Sequence, residues 1–205
     1  MKMKRRSSIA CVQSLLVLGV IVLGGTAFAQ DKGLPVSVRI ETEAGNILAK
    51  LYQDKAPETV ANFLRYVDGG SFSGGCFMRT VRPDNELNPV KIQVIQAVVH
   101  PWKENSSFPP VALERTSVTR IRHVDGAISM ARAEPNSATS SFFICIGDQP
   151  ELDFGGKRNK DGQGFAAFGK VIGGSDVVKK IHSSNARGQN LEKPVIINKI
   201  SLIEN

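Results

Sequence analysis

The chain has 205 residues and a formal net charge of +7, from 26 Lys and Arg against 19 Asp and Glu. This length suits one domain with a buried core, and the scattered basic residues argue against a nucleic-acid-binding protein. The densest basic cluster, at positions 157–161, also contains Asn159 and Asp161, so we interpret it as a solvated loop.

Residues 1–29 have the pattern of a cleavable export signal. Four basic residues within positions 2–6 precede an uncharged, mostly apolar stretch from Cys11 to Gly25. Ala27-Phe28-Ala29 then has the small–x–small spacing that signal peptidase prefers, so we expect cleavage before Gln30. The apolar stretch is shorter than the about 20 residues of a transmembrane helix. An uncleaved amphipathic anchor is the alternative.

Cleavage would lower the net charge from +7 to +3, because the signal carries four basic residues and no acidic one. Residues 30–205 would then form a single domain, which we expect to be a monomer without membrane attachment. The expected location is the periplasm if the source is a Gram-negative bacterium.

The mature part begins with a predicted hairpin and a helix. Val36 to Leu51 alternates apolar and polar residues on each side of Gly45-Asn46, which favours two strands and a turn. Pro57 suits the first position of a helix, and apolar residues recur at helical spacing until Gly69-Gly70.

Later segments predict further strands and one more helix. The strands are expected at residues 74–81, 91–99, 127–130, 142–146 and 195–203. The second helix is expected at Asp176 to Ile181, with Ser175 as its N-cap. So many short strands with two helices indicate a mostly β, closed or nearly closed barrel.

Other chemistries lack their sequence patterns. The three histidines, His100, His123 and His182, are scattered and do not have the spacing of a metal site, so we expect no metal and no cofactor. Cys76 and Cys145 lie beside apolar residues in predicted strands. We therefore interpret them as unpaired thiols rather than a disulfide.

Three blocks of sequence point to one family. The first is residues 126–145, which place a loop of small and polar residues between two predicted strands. The second is Cys76-Phe77-Met78-Arg79, and the third is residues 164–171, which end in Phe-Gly-Lys-Val. The three blocks and their order resemble those of the cyclophilins, the peptidyl-prolyl cis–trans isomerases, and the resemblance covers roughly residues 36–203. The resemblance implies a closed eight-stranded antiparallel barrel capped by two helices. It also implies isomerase activity on proline-containing segments of unfolded or loop-exposed polypeptides.

The resemblance also implies a site. Arg79 occupies the position of the family's catalytic arginine, and Gln96 that of the glutamine that binds the substrate backbone. Phe143 matches the floor of the proline pocket; strand alternation puts it and Phe142 on opposite faces. The remaining pocket and peptide-binding positions are Val94, Ala131, Arg132, Ala133, Leu152 and Phe165.

Several positions depart from the family pattern. Gln93 stands in place of the usual pocket phenylalanine, Val94 in place of a methionine, and Ser141 in place of a glutamine. An insertion around residues 84–91 separates Arg79 from the strand that contains Gln96, so the resemblance fixes the positions in that strand to within about one residue. A weakened pocket wall leaves an alternative, a module that binds proline-containing peptides but isomerises them poorly. A barrel without a ligand is the third possibility.

Overall fold

The computed structural model describes residues 36–100 and 108–203, so the predicted export signal at residues 1–29 lies outside the described part of the chain. The strands are β1 (Val36–Thr42), β2 (Gly45–Leu51), β3 (Cys76–Val81), β4 (Val94–Val98), β5 (Ala127–Met130), β6 (Phe142–Cys145), β7 (Ala167–Gly173), β8 (Ala186–Arg187) and β9 (Asn190–Leu202). The helices are α1 (Pro57–Asp68), α2 (Thr116–Thr119) and α3 (Ser175–His182), with one 3-10 turn at Pro150–Leu152.

Eight of these strands form a closed antiparallel barrel. Hydrogen bonding runs in the order β1-β2-β7-β5-β6-β4-β3-β9, and β9 pairs back onto β1 from Val38↔Leu202 to Thr42↔Ile197. The two-residue strand β8 pairs only with β9 and lies outside this ring. The closed eight-stranded barrel predicted from the sequence is therefore confirmed.

Alternation along the strands separates two apolar clusters. In β6, Phe142 and Ile144 belong to the main core inside the barrel, whereas Phe143 and Cys145 belong to a smaller cluster on the other face of the sheet. Side chains of consecutive strand residues point to opposite faces, so one short apolar run serves both clusters. The expectation that Phe142 and Phe143 diverge is confirmed.

The two longer helices complete the main core. Pro57 is at the start of α1, as predicted, and Phe63 from this helix meets Phe142 edge-on with ring centroids 5.5 Å apart. From α3, Val177, Val178 and Ile181 are buried in the same core. Each fully buried side chain of this size contributes about 1.5–3 kcal/mol to stability. The short helix α2 was not predicted.

Some predicted boundaries are wrong in detail. Ser175 is the first residue of α3 rather than its N-cap; that position belongs to Gly174, whose φ of 76° suits a residue without a Cβ. The first hairpin turns at residues 43–44, because Gly45 and Asn46 already pair with β1. Strand β9 begins five residues earlier than the predicted 195, since Asn190 and Leu191 pair with β8.

Cys76 and Cys145 are free thiols, as predicted from their positions among apolar residues. Cys145 is buried, and burial raises the pKa of its thiol far above the ordinary value. None of the helices in the described part of the chain is long and apolar enough to cross a membrane.

Candidate active site

One cross-strand row builds the candidate site. Arg79 on β3 pairs with Gln96 on β4, Gln96 pairs with Phe143 on β6, and Phe143 pairs with Ser129 on β5. Residues directly opposite one another in antiparallel strands place their side chains on the same face. The register therefore brings the predicted arginine, glutamine and phenylalanine to one face of the barrel wall.

A cavity lies over this row. Its lining contains eight of the nine predicted site residues: Arg79, Val94, Gln96, Ala131, Arg132, Phe143, Leu152 and Phe165. Ala133 does not line it; this residue is exposed, and its backbone N–H donates to the Ser137 hydroxyl. Three further residues line the cavity and were not among the predicted site residues: Ile92, Arg158 and Asn159.

The floor and walls of the cavity are apolar. Phe143, Val94, Leu152 and Ile92 belong to the smaller apolar cluster, and Phe165 packs edge-on against Phe143 at 5.4 Å. Ile92, not Gln93, supplies the wall, so the expectation that a polar residue weakens it is wrong. Ile92, Val94 and Gln96 alternate along the chain and all line the cavity, whereas Gln93 does not.

Two amide side chains hold the Arg79 guanidinium. Nη1 donates to Oε1 of Gln96 at 2.9 Å, and Nε and Nη2 donate to Oε1 of Gln189 at 2.9 and 2.5 Å. Gln189 lies between β8 and β9, 110 residues further along the chain. A guanidinium with three fixed donor atoms is positioned rather than free to sample rotamers.

Arg79 is partly desolvated and close to other charges. Burial and the charge of Arg158 lower the pKa of the Arg79 guanidinium from its ordinary value, while Glu86 raises it. Arginine nevertheless stays protonated in proteins at neutral pH. The cavity rim thus has a permanent cation next to an apolar floor.

Gln96 is fixed on both sides of its amide. Its Oε1 accepts from Arg79, and its Nε2 donates to the Ser141 hydroxyl at 3.0 Å. Ser141 in turn donates to the backbone oxygen of Ala97 at 2.9 Å. The serine that replaces the family's usual glutamine therefore orients Gln96.

Arg132 supports the cavity wall with its side chain. The side chain is 1% exposed, and its guanidinium makes a bidentate pair with Asp161 at 2.8 and 2.9 Å. It also lies over the Phe165 ring, 5.2 Å from the centroid. The bond from Arg132 lowers the pKa of the Asp161 carboxyl below its usual value. The Arg132 side chain is thus committed to the wall of the cavity.

A buried polar chain lies behind the phenylalanine floor. The His123 ring is parallel to Phe143, 6.0 Å away, with Nδ1 2.8 Å from Asp153 and Nε2 2.9 Å from the Ser129 hydroxyl. Burial raises the pKa of the Asp153 carboxyl, but hydrogen bonds from the His123 ring and backbone lower it more, so the net pKa is below the usual value. Ser129 is fully buried and does not line the cavity, which excludes a nucleophilic role in this conformation.

A second ion pair joins two loops beside the cavity. Arg158 Nη2 lies 2.9 Å from the Glu86 carboxylate, and Nη1 donates to the backbone oxygen of Val90 at 2.9 Å. Both side chains are largely buried, at 13% and 3% exposure. The inserted segment before β4 is therefore fastened to the loop before β7. The interpretation of Arg158 as part of a solvated cluster is wrong, although Lys157 and Lys160 are exposed.

The site offers charge and shape rather than a metal or a nucleophile. Within residues 36–100 and 108–203, no group of three or more His, Cys, Asp or Glu side chains could hold a metal ion. The lining combines an apolar hollow, a fixed cation and amide donors. Such a set can grip an apolar ring and donate hydrogen bonds to a peptide beside it.

Comparisons with known proteins show the family of this chain. Residues 37–202 match the family model described as cyclophilin-type peptidyl-prolyl cis-trans isomerase/CLD. Peptidyl-prolyl cis-trans isomerase A of Dickeya dadantii is 34% identical over 93% of this chain and 97% of its own length. Peptidyl-prolyl cis-trans isomerase B of Escherichia coli is 33% identical over 82% of this chain and 99% of its own length.

The fold also matches solved structures. A cyclophilin-type isomerase of Cryptosporidium parvum superposes with a TM-score of 0.66 at 20% identity, covering 84% of this chain and 99% of that one. The same protein, crystallised in the presence of the dipeptide Ala-Pro, gives a TM-score of 0.65. With the family model and the curated relatives, these findings show that the chain belongs to the cyclophilin-type peptidyl-prolyl cis–trans isomerases.

Proposed function

We propose that this isomerase binds X–Pro segments in the cavity over Phe143, and that Arg79 is its catalytic residue. The observation that carries the proposal is the Arg79 guanidinium, fixed by Gln96 and Gln189 at the rim of an apolar hollow. The hollow accepts the proline ring, and the guanidinium faces the peptide bond that turns.

The chemistry follows from the amide bond. Rotation about X–Pro is slow because resonance must be broken, with a barrier of about 18–20 kcal/mol. In the twisted transition state the prolyl nitrogen is pyramidal and its localised lone pair accepts a hydrogen bond. A donor aimed at that nitrogen stabilises the transition state more than the planar ground state. A ten-thousandfold acceleration requires about 5.4 kcal/mol.

The apolar floor and the peptide-binding segment contribute binding. Phe143, supported from behind by His123, gives the ring a flat surface. Ala131 and Arg132 follow β5 at the cavity edge, where a peptide backbone can lie. The Cryptosporidium parvum structure was solved in the presence of the dipeptide Ala-Pro, which suggests a minimal ligand to test with this chain.

Isomerisation kinetics on a short Ala-Pro peptide test this proposal. We expect Arg79→Ala to lower kcat/KM at least a hundredfold, about 2.7 kcal/mol of transition-state stabilisation. Arg79→Lys keeps the charge without the rigid fork and should be intermediate. Wild-type activity that is negligible and unchanged in Arg79→Ala would favour the alternative, a peptide-binding module. Ile92 and Val94 keep the pocket wall apolar, so the observation that motivated this alternative no longer supports it.

We further propose that the isomerase acts on exported polypeptides, as a monomer in the periplasm. The basic start, the apolar stretch and the Ala27-Phe28-Ala29 site support this proposal. Uncatalysed proline isomerisation takes about 10–100 s and limits refolding, so a catalyst is useful where chains fold after export. Fractionation of a Gram-negative host that expresses the full chain, with mass spectrometry, is the test. A periplasmic product beginning at Gln30 is expected; an uncleaved cytosolic chain would contradict it.

A further inference from the structure

We propose that Asn159 is a substrate-binding residue that forms a subsite next to the proline pocket, and that this subsite favours an acidic residue beside the proline. The inference rests on the proposed binding of X–Pro peptides in this cavity. It adds a preference for particular peptides to the isomerase activity.

The first observation is an unsatisfied donor. Asn159 lines the cavity, and its side-chain Nδ2 is buried without a hydrogen-bond partner among the described residues. Buried polar groups in native proteins are almost always paired, because an unpaired one loses its hydration without compensation. An amide donor left unpaired in the wall of a ligand cavity is well placed to donate to an oxygen of the ligand.

The second observation is that the loop around Asn159 is fastened in place. The preceding residue, Arg158, is held by Glu86 and Val90 through its side chain and by Glu151 through its backbone N–H. The backbone oxygen of Asn159 accepts from Gly162 at 3.0 Å. A donor held in this way loses little conformational entropy when a ligand binds.

The third observation is the charge of the cavity. Arg79, Arg132 and Arg158 all line it, and no acidic residue is present among the described lining residues. Asp161 pairs with Arg132 and Glu86 pairs with Arg158, whereas Arg79 bonds to two neutral amides. The lining therefore has a positive charge without a matching carboxylate.

An acidic side chain satisfies both conditions. A carboxylate accepts hydrogen bonds only, so it fits the Asn159 donor, and its negative charge is attracted by Arg79. A neutral amide of the same shape would satisfy the donor but gain less from the charge. The comparison between Glu and Gln at one peptide position therefore isolates the proposed preference.

The test uses two pairs of proline-containing tetrapeptides. One pair has Glu or Gln directly before the proline, and the other pair has Ala before the proline and Glu or Gln directly after it. Exchange NMR measures kcat/KM for each peptide with the wild-type full chain, Asn159→Ala and Asn159→Asp. At one of the two positions, we expect the wild type to prefer Glu over Gln by about tenfold. Asn159→Ala should reduce that ratio severalfold, and Asn159→Asp should remove or reverse it by like-charge repulsion.

Lys160→Gln is the matched control, because Lys160 is the exposed neighbour and does not line the cavity. It should keep the wild-type ratio. A ratio near one at both positions in the wild type, or a ratio that Lys160→Gln changes as much as Asn159→Asp does, overturns the inference. Failure of the proposed function gives a different result, namely no acceleration of any peptide, including Ala-Pro itself. Thermal melting confirms that each variant is folded.

Discussion

Replacing Gln189 by alanine removes two of the three side-chain hydrogen bonds that Arg79 makes within the described residues. Gln189 accepts from both Nε and Nη2 of Arg79, and only the bond from Nη1 to Gln96 would remain. One bond cannot fix the orientation of a planar guanidinium, so the donors would sample several directions. Gln189 is thus expected to position Arg79 without touching the peptide.

The size of the effect follows from these contacts. Hydrogen bonds to charged groups contribute about 1.5–3 kcal/mol each when buried. Because Arg79 is only half-buried, water replaces part of each lost bond. We therefore expect a loss of about 1–2 kcal/mol of transition-state stabilisation, a fall of roughly 5- to 30-fold in kcat/KM. The fall should be mainly in kcat, and smaller than that of Arg79→Ala.

Exchange NMR on an Ala-Pro peptide measures kcat/KM for the wild type, Gln189→Ala and Gln189→Glu. Gln189→Glu keeps an acceptor for Arg79 and should retain more activity than the alanine variant. Gln53→Ala is the matched control, because Gln53 is exposed and does not line the cavity. Wild-type kcat/KM in Gln189→Ala, with Arg79→Ala inactive, would refute the positioning argument.

Three further predictions concern stability and the thiols. Arg158→Met and Glu86→Leu should each destabilise the fold by about 3–5 kcal/mol, because one buried charge loses its partner. The double variant should be destabilised by less than the sum of the two single variants. Urea unfolding measures this coupling, and additive losses would contradict the prediction. The pKa of Asp153 is lower in the folded chain than its unfolded value of about 3.9. The contribution of the Asp153 carboxylate to folding stability is therefore present above that pH and is lost as the pH falls through the folded pKa. Asp153→Asn should thus flatten the fall in stability below about pH 4, and an unchanged slope of stability against pH would contradict this prediction. In the folded chain, Cys145 should not react with a thiol reagent at pH 8, and it should react after unfolding. Half-buried Cys76 should react slowly in the folded chain. Equal reaction rates of the two thiols before unfolding would contradict this prediction.

The parts of the fold that could be predicted from the sequence depend on local patterns. The run Phe142 to Cys145 alternates between two apolar clusters, which follows from the period of a strand. Pro57 marks the start of α1 because a proline there loses no hydrogen bond. The strand pattern indicates a closed or nearly closed barrel, and the family resemblance implies the number of eight strands. The pairing of β9 with β1 does not follow from local patterns.

The parts that could not be predicted depend on contacts between distant segments. No local signal connects Gln189 with Arg79, since the β8–β9 hairpin brings them together across 110 residues. Arg158 and Asn159 lie in a polar loop that is typical of solvent exposure. Contacts of Arg158 with Glu86, Val90 and Glu151 hold this loop at the cavity. That Ile92 rather than Gln93 lines the wall depends on which face of the sheet each residue takes, and the pattern of the segment alone does not fix this.

The pairing of β9 with β1 affects how this barrel can interact with other polypeptide chains. Within residues 36–100 and 108–203, each strand of the barrel ring has a neighbouring strand on both sides, and the sheet ends at the two-residue strand β8. Open sheet edges are templates for strand addition and aggregation. For an extended substrate chain, the barrel wall therefore presents the cavity lined by Arg79, Gln96 and Phe143 rather than an open strand edge. We expect this closure to disfavour the addition of a substrate strand to the sheet.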